Sequence, residues 1–474
     1  MRRLLLWRDP GRGRETGQVL LVIIVIMLAV TVSSSSFIWF MNQQQTRAGN
    51  RYRALAALHV ADSGVQRTLA ILETTSPEGG PGREWRPVAY TETVNIDPLK
   101  GRFTVSVESA PGGTLVITSD GQVSAVVRRL RVRAHLASPA LLAALYGASS
   151  VRFERPPAFT FIGPYGELEG RPWIHIEAGK EVWFADTGVA INDPSIAPGT
   201  FPGPIALLPR MDRPEGGARF GPVRILLAKQ AELTLGPKHE RVDSQQLRVS
   251  GFLLENAVRR IEPLPRLPEV DRDFYRSLAA GNRANAEINH AAGRFTGDRE
   301  LEEKQDSLYL PPQMAKLLTY LVSRNQPMSL RGVIYVAGAV TLPTGSQLHV
   351  TDGALLAENT VKLEPQAELS VIHTPRTRTL PGIIVLDHGG LVVGKNARLR
   401  VHGLVYTQQT VETAEGASVE VVGALASNDP GISFRGGAAI VIRYDPAVLG
   451  TPGLRVAPGD PVIAWVSEWQ EVRQ

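Results

Sequence analysis

The chain has 474 residues and no cysteine, which excludes disulfides, cysteine-ligated metal sites and cysteine nucleophiles. Its 43% hydrophobic and 20% charged residues are typical of a folded chain, and 45 glycines with 34 prolines favour turn-rich β structure. Residues 1–17 hold five arginines against two acidic residues, so they supply +3 of the net charge of +5. Because most of the net positive charge lies in this N-terminal segment, it indicates membrane topology and not a nucleic-acid-binding surface. No nucleic-acid partner is expected.

The first predicted element is a membrane-spanning helix behind a basic leader, residues 1–17. Residues 19–41 carry no charge, and at about 1.5 Å per residue they are long enough to cross a hydrocarbon layer of about 30 Å. The arginines before this segment predict a cytoplasmic N-terminus and a C-terminal part outside the cytoplasm. A cleaved secretory signal is the alternative, but apolar residues resume at Phe37 after the four serines that end at Ser36.

The helix is predicted to continue beyond the membrane. Between Gln18 and Pro77 no proline interrupts the chain, and apolar residues recur at steps of three and four, the stripe of an amphipathic helix. These residues are Leu55, Leu58, Ala61, Val65, Leu69 and Leu72. A single helix over residues 18–76 is therefore expected, with its first half in lipid and its second half projecting outward.

The leader ending in Gly17, the apolar stretch and the sequence RALAALHVADSGVQRTL at residues 53–69 together resemble the N-terminus of the PilX-like minor pilins of type IV pilus systems. The resemblance implies cleavage by a prepilin peptidase between Gly17 and Gln18 and methylation of the new N-terminus. It also implies that other pilins or pseudopilins and an inner-membrane assembly platform are partners. Major pilins usually have Phe or Met where this chain has Gln18, and Glu where it has Val22, which favours a minor component.

A small antiparallel β meander is predicted over residues 83–137. Three runs of β-forming residues, GRFTVSVES, TLVITSDG and SAVVRRLRVRAHL, are separated by PGG and SDG, which we interpret as turns. The last run carries four arginines, Arg128, Arg129, Arg131 and Arg133. Charges on a strand are typical of a solvated sheet edge that discourages further pairing.

A parallel β-helix is predicted for most of the remaining chain. Its coils are expected to start in residues 138–200, to continue in residues 331–446 after an insertion with short helices at 201–330, and to be followed by a tail at 447–474. Five glycines open successive units at spacings of 21, 29, 21 and 20 residues: Gly332, Gly353, Gly382, Gly403 and Gly423. A period near 20 residues is typical of a stacked solenoid.

The polar run from His373 to Leu380 lengthens one unit and is expected to project as a loop. Inward positions should be apolar, Val405 among them. An antiparallel sandwich is the alternative, but it requires short hairpins, and Asn-Gly or Asp-Gly turns are few. The insertion contains PLPRLPEVDRDFYRSLA, which also resembles a segment of PilX-like ectodomains, and a second predicted helix lies at PPQMAKLLTYLV.

Some parallel β-helices are carbohydrate-active enzymes with clustered carboxylates. In this sequence the candidate catalytic residues are Asp352, Asp387, His388 and Asp429. Each lies beside a turn glycine or proline, so turn formation accounts for them. Neither His349, His388 nor His402 shows metal-ligand spacing, and no cofactor is expected.

The sequence thus predicts an α+β, mainly β protein: a long N-terminal helix, a β meander and a parallel β-helix with a partly helical insertion. The function expected is non-catalytic, in a minor pilin or pseudopilin of a type IV pilus or related secretion filament. It would reside in the bacterial inner membrane with its ectodomain periplasmic or extracellular. Alternatives are a membrane-anchored adhesin or envelope scaffold and, third, a carbohydrate-active enzyme. The part from about Arg83 onward is expected to fold alone.

Overall fold

The computed structural model describes the following residues: 12–74, 82–96, 99–148, 150–153, 158–162, 174–178, 181–184, 189–191, 205–208, 223–228, 232–235, 240–241, 246–249, 252–255, 258–261, 266–281, 309–310, 315–324, 327–387, 389–428, 431–435 and 437–472. They form a long N-terminal helix, a small antiparallel sheet and a parallel β-solenoid of about 5 turns. The predicted fold class, α+β and mainly β, is confirmed.

Helix α1 runs without interruption over Arg12–Glu73, 62 residues. The absence of proline allows this length, since every backbone N–H beyond the first turn can reach the carbonyl four residues earlier. Among the described residues of the range predicted to be partly helical, there are two shorter helices: α2, Arg272–Ala280, and α3, Ala315–Arg324. The Asp271 side chain caps α2 by accepting a hydrogen bond from the Phe274 N–H at 3.0 Å.

A five-stranded antiparallel sheet packs on the C-terminal half of α1. Its order is β1-β2-β3-β4-β35. The strand bounds are β1 Tyr90–Ile96, β2 Leu99–Ser109, β3 Thr114–Val123, β4 Val126–Ala137 and β35 Ile463–Val472. Two expectations for this sheet are corrected by the structure.

The arginine-rich strand β4 is not a sheet edge, because β35 pairs along it from the far end of the sequence. The range predicted to be a tail therefore supplies the fifth strand. The arginines are accommodated by acidic neighbours on both sides: Arg129 contacts Asp120 at 2.6 Å and Arg133 contacts Glu468 at 3.3 Å. Their role is cross-strand pairing within the sheet.

The SDG sequence is not a turn either. Asp120 and Gly121 lie inside β3, and the chain reverses at Ser124, which has a φ of 54°. Glycine inside a strand often marks a close approach of another backbone. A Cβ atom at Gly121 would lie 2.1 Å from the carbonyl oxygen of Ala57 in α1, so this glycine lets the helix backbone approach the sheet.

The remaining strands build the solenoid and two separate two-stranded sheets. In the first part of the chain they are β5 Leu145–Gly147, β6 Ser150–Phe153, β7 Ala158–Ile162, β8 Ile174–Ala178, β9 Glu181–Phe184, β10 Val189–Ile191, β11 Ile205–Leu208, β12 Val223–Ala228, β13 Glu232–Leu235, β14 Glu240–Arg241, β15 Gln246–Val249, β16 Phe252–Glu255, β17 Val258–Ile261 and β18 Glu269–Val270. In the second part they are β19 Tyr309–Leu310, β20 Met328–Arg331, β21 Ile334–Val336, β22 Val340–Leu342, β23 Gln347–Thr351, β24 Leu355–Ala357, β25 Val361–Leu363, β26 Glu368–Ile372, β27 Ile383–Val385, β28 Leu391–Val393, β29 Arg398–Thr407, β30 Val411–Thr413, β31 Ser418–Ser427, β32 Gly431–Phe434, β33 Ala439–Tyr444 and β34 Leu454–Arg455. Short 3-10 helices lie at Gly82–Glu84, Pro111–Gly113, Pro139–Leu142 and Pro446–Gly450.

Corresponding residues of successive coils stack in parallel register. Ile334 pairs with Leu355, Leu355 with Ile383, Ile383 with Val405, and Val405 with Leu425. All five side chains have 0% exposure, which confirms the inward position predicted for Val405. The solenoid core is thus a series of aliphatic ladders, and the sandwich alternative is wrong because these pairings are parallel.

The stacking order of the coils differs from their order in the chain. Strands β31 and β33, near the end of the sequence, pair in parallel with β5 and β7 from its first third. Parallel pairing also continues beyond the boundary predicted at residue 200, since β11 pairs with β7, and β12 pairs with both β8 and β17. The solenoid therefore extends into the range predicted to be an insertion, whose proline and glycine content obscured its strands.

Glycines lie where consecutive coils touch. A Cβ atom at Gly423, whose φ is 154°, would lie 2.0 Å from the carbonyl oxygen of Gly403. At Gly353 it would lie 1.8 Å from the carbonyl oxygen of Gly332. The glycine period seen in the sequence therefore records backbone contact between neighbouring coils.

Helix α2 is fixed against the solenoid by two arginines. Arg272 hydrogen-bonds the Asp387 carboxylate, one contact being 3.3 Å. Arg276 pairs with Glu358, which also accepts a hydrogen bond from the Tyr335 hydroxyl at 2.8 Å. Helix α2, which the sequence predicts, is thus bound to the solenoid by ion pairs with acidic side chains of the coils.

Candidate functional site

The N-terminal half of α1 is apolar and is not covered by the rest of the described chain. Its large apolar side chains from Leu20 to Met41 are between 48% and 66% exposed. Among the described residues, this is the one helix that is long and apolar enough to cross a membrane, with a mean hydropathy of 2.5 in its most apolar window. Apolar surface all round a helix requires lipid or other apolar helices to cover it.

The C-terminal half of α1 is packed against the sheet through small residues. Ala57 and Ala61 are fully buried, and a Cβ atom at Gly64 would lie 2.4 Å from the Ser119 Oγ and 2.9 Å from the Phe103 ring. The motif at residues 61–64 therefore has a packing role, because it lets the sheet approach the helix axis. Residues of the sheet close the contact from the other side: Phe103, Val105, Val107, Leu115, Ile117, Val123, Leu130, Val132 and Ala134.

The buried face of α1 is rotated from the predicted stripe. Ala61, Val65 and Leu72 are buried as expected, but Leu55 is 54% exposed. Leu58 and Leu69 are only partly buried. Small residues lie at the centre of the buried face because the helix and sheet backbones are closest there. The hydrophobicity pattern of the sequence does not indicate where the backbones come closest.

Gly17 and Gln18, the predicted processing residues, lie in the first turns of α1. A junction inside a helix can be cleaved only if that end of the helix opens locally, since helix ends have backbone groups without intrahelical partners. Cleavage between Gly17 and Gln18 stays a prediction.

Asp352, a candidate for catalysis, anchors the polar loop at residues 373–380. Its carboxylate accepts hydrogen bonds from the Thr374 N–H at 3.1 Å and the Thr377 hydroxyl at 2.9 Å, and it contacts Arg331 at 3.3 Å. Hydrogen bonds from Thr374 and then Thr377 lower the pKa of Asp352 to about 2. A carboxylate held ionised in this way is a poor proton donor at neutral pH, and the contacts fix the loop.

Of the other candidates, Asp387 is the one that lies among the described residues. Asp387 is engaged by Arg272 of α2, and His388 and Asp429 lie outside the described residues. His402 accepts a hydrogen bond through Nδ1 from the His373 backbone N–H at 3.4 Å, and burial lowers the pKa of both imidazoles. In the part of the chain that the structure describes, no group of three or more His, Asp or Glu could hold a metal ion.

The loop has a second anchor that the sequence did not indicate. Arg378 forms a bidentate pair with Asp445, at 2.7 and 2.6 Å. The predicted loop is thus fixed at both ends to the side of the solenoid. Clefts of about 700 and 220 Å³ flank it, the larger lined by Arg331, Asp352 and Arg376 and the smaller by His402 and Asp445.

No protein family model matches the sequence, and no curated protein matches it. Among solved structures, the chain is similar to the competence-associated pilin ComZ from Thermus thermophilus, with 11% identity over 89% of this chain and 97% of that chain. The TM-score is 0.21.

Proposed function

We propose that this chain is a non-catalytic minor pilin or pseudopilin-like component of a type IV pilus or related secretion filament. The observation that carries the proposal is the division of α1: one continuous helix of 62 residues, exposed and apolar in its first half and packed on a sheet in its second. The β-solenoid is the part that such a component would display.

The division of α1 suits a subunit that changes surroundings. The packed half joins the helix firmly to the folded part, because small residues such as Gly64 bring the two backbones close. The apolar half is then held away from the protein's own core. Lipid can cover it before assembly, and apolar helices of other subunits can cover it in a filament.

Processing and membrane orientation belong to the same proposal. The basic leader would keep the N-terminus cytoplasmic, and a prepilin peptidase would cut between Gly17 and Gln18. The partners would be pilins or pseudopilins, contacted through residues 19–41, and the inner-membrane assembly platform. The solenoid would lie in the periplasm or outside the cell.

The processing step can be tested by intact-mass analysis of the membrane form. The mature chain is expected to begin at Gln18 and to carry a methyl group. The variant Gly17→Leu should retain the leader, whereas Gly13→Leu, the same change within the leader, should be processed normally. A wild-type chain that begins at Met1 or after Ser36 would contradict this step.

Filament membership needs a separate measurement. Sheared surface filaments and membranes should be quantified for the wild type and for Gly17→Leu. We expect the wild type in both fractions and the uncleaved variant only in membranes. If the wild type is absent from filaments while the anchored form is abundant, the chain is a membrane-anchored adhesin or envelope scaffold.

A further inference from the structure

Three arginines follow the apolar segment of α1 and have no acidic neighbour in sequence. They are Arg47, Arg51 and Arg53, and residues 16–61 contain no Asp or Glu. All three are exposed. Within the described residues none of them forms an ion pair, whereas Arg67, farther along the helix, contacts Glu92 at 3.7 Å.

Helix geometry places these arginines close to a membrane surface. At about 1.5 Å per residue, Arg47 lies about 9 Å beyond Met41, the end of the apolar segment, and Arg53 about 18 Å beyond it. A headgroup layer extends roughly 5–8 Å from the hydrocarbon. Arg47 therefore lies at its outer boundary. Arg51 lies about 7–10 Å above that boundary, within about one Debye length, and Arg53 lies about 10–13 Å above it, a gap that the long arginine side chain shortens.

The arginines lie on two sides of the helix instead of forming one point of contact. At about 100° per residue, Arg47 and Arg51 are about 40° apart, and Arg53 lies about 160° from Arg51. Cations on two sides of a helix match a plane of anions better than the single carboxylate of a protein partner. Trp39, 64% exposed, lies about 12 Å nearer the membrane than Arg47, at the level where aromatic side chains meet the membrane interface.

We propose that Arg47, Arg51 and Arg53 form an arginine collar that binds anionic phospholipid headgroups of the leaflet facing the ectodomain. This inference rests on the membrane-spanning part of the proposed function and not on filament membership. Each arginine near an anionic surface strengthens attraction by roughly fivefold. The collar places three arginines on the outer side of the membrane, and the leader places five on the cytoplasmic side. The collar therefore reduces the difference in positive charge between the two sides, which sets the orientation of the helix.

The test uses the full chain reconstituted in phosphatidylcholine vesicles that contain phosphatidylglycerol. Spin-labelled versions of the two lipids report which one associates with the protein. We expect phosphatidylglycerol to be preferred several-fold, and the preference to fall close to 1 in the triple variant Arg47→Gln, Arg51→Gln, Arg53→Gln. High salt should reduce the wild-type preference, and millimolar inorganic phosphate should leave it unchanged.

The matched control removes the same charge far from the membrane, with Arg67→Gln, Arg102→Gln and Arg435→Gln, and should keep the preference. A triple lysine variant of the collar should also keep it, because a charged plane needs no bidentate geometry. Equal preference in the wild type and the triple Gln variant would overturn the proposal, as would loss of the preference in the control. A chain that does not enter vesicles at all would instead contradict the membrane-spanning segment.

Discussion

Asp352 and Asp387 show how turn geometry gives single residues their roles. Both adopt the left-handed region, with φ of 52° and 53°, which aspartate tolerates better than most residues. Each turn then aims a carboxylate outward, Asp352 at the loop threonines and Asp387 at Arg272. The turns could be predicted from the adjacent glycines, but these partners could not.

The inward ladders make a prediction at the same scale. Val405→Asp places a charge between Ile383 and Leu425, both fully buried, so the melting temperature should fall by roughly 10 °C or more. Val392→Asp is the control, because this half-exposed valine lies between Lys362 and Glu412 on the outer face. Circular dichroism melts compare the two variants. Equal melting temperatures would show that position 405 is not a core position.

At the scale of elements, α1 is held by close backbone contact with its sheet. Gly64 on the helix and Gly121 on β3 both lie where a Cβ atom would overlap a neighbour. The C-terminal end of the helix is also tied to the last strand, since the Glu73 carboxylate accepts a hydrogen bond from the Ala464 N–H at 2.8 Å. The beginning and end of the chain therefore stabilise one sheet.

Two glycines of α1 provide a matched test of this contact. Gly64→Ala should destabilise the helix–sheet module by about 1–3 kcal/mol, because the new methyl group overlaps Phe103 and Ser119. Gly49→Ala gains the same helix propensity with nothing within 4 Å, so it should be neutral or stabilising by up to about 1 kcal/mol. Hydrogen exchange of residues 56–72 measures the difference. Similar protection in both variants would contradict the close contact.

At the scale of the molecule, the solenoid is inserted into the helix–sheet module, between β4 and β35. The inner face of the sheet, including Phe103 and Val132, is buried against α1. The expectation that the part from Arg83 onward folds alone stays a prediction, and the structure gives a reason against it, because such a fragment lacks the helix that covers this face. We predict that the independently folding unit includes the C-terminal half of α1.

Two fragments test this division. Residues 45–474 should be a soluble monomer, since they keep the buried face of α1 and omit the apolar half. Residues 83–474 should bind a hydrophobic dye and associate, because the sheet face is uncovered. Light scattering and dye fluorescence compare the fragments, and a peptide of residues 54–74 should reduce dye binding by the shorter one. A monomeric, dye-free 83–474 fragment would show that the sheet does not need the helix.

The sequence by itself determined the elements whose signal is local. The uninterrupted α1 followed from residue periodicity and the absence of proline, and the parallel coils followed from glycines near a 20-residue period, since each coil repeats the same backbone contact. The inward position of Val405 followed from the same pattern. Each of these features depends on residues that are close in the sequence or on a repeat of constant length.

The tertiary structure alone decided the features that join distant segments. The pairing of β35 with β4, the stacking of β31 on β5 and the contact of Arg272 with Asp387 bring together residues separated by a hundred positions or more. An arginine-rich strand has the same local sequence pattern whether it lies at a sheet edge or beside a strand with acidic residues. The sequence Asp-Gly is likewise the same whether it forms a turn or lies in a strand beneath a helix. Which of these occurs is decided by the packing that covers them.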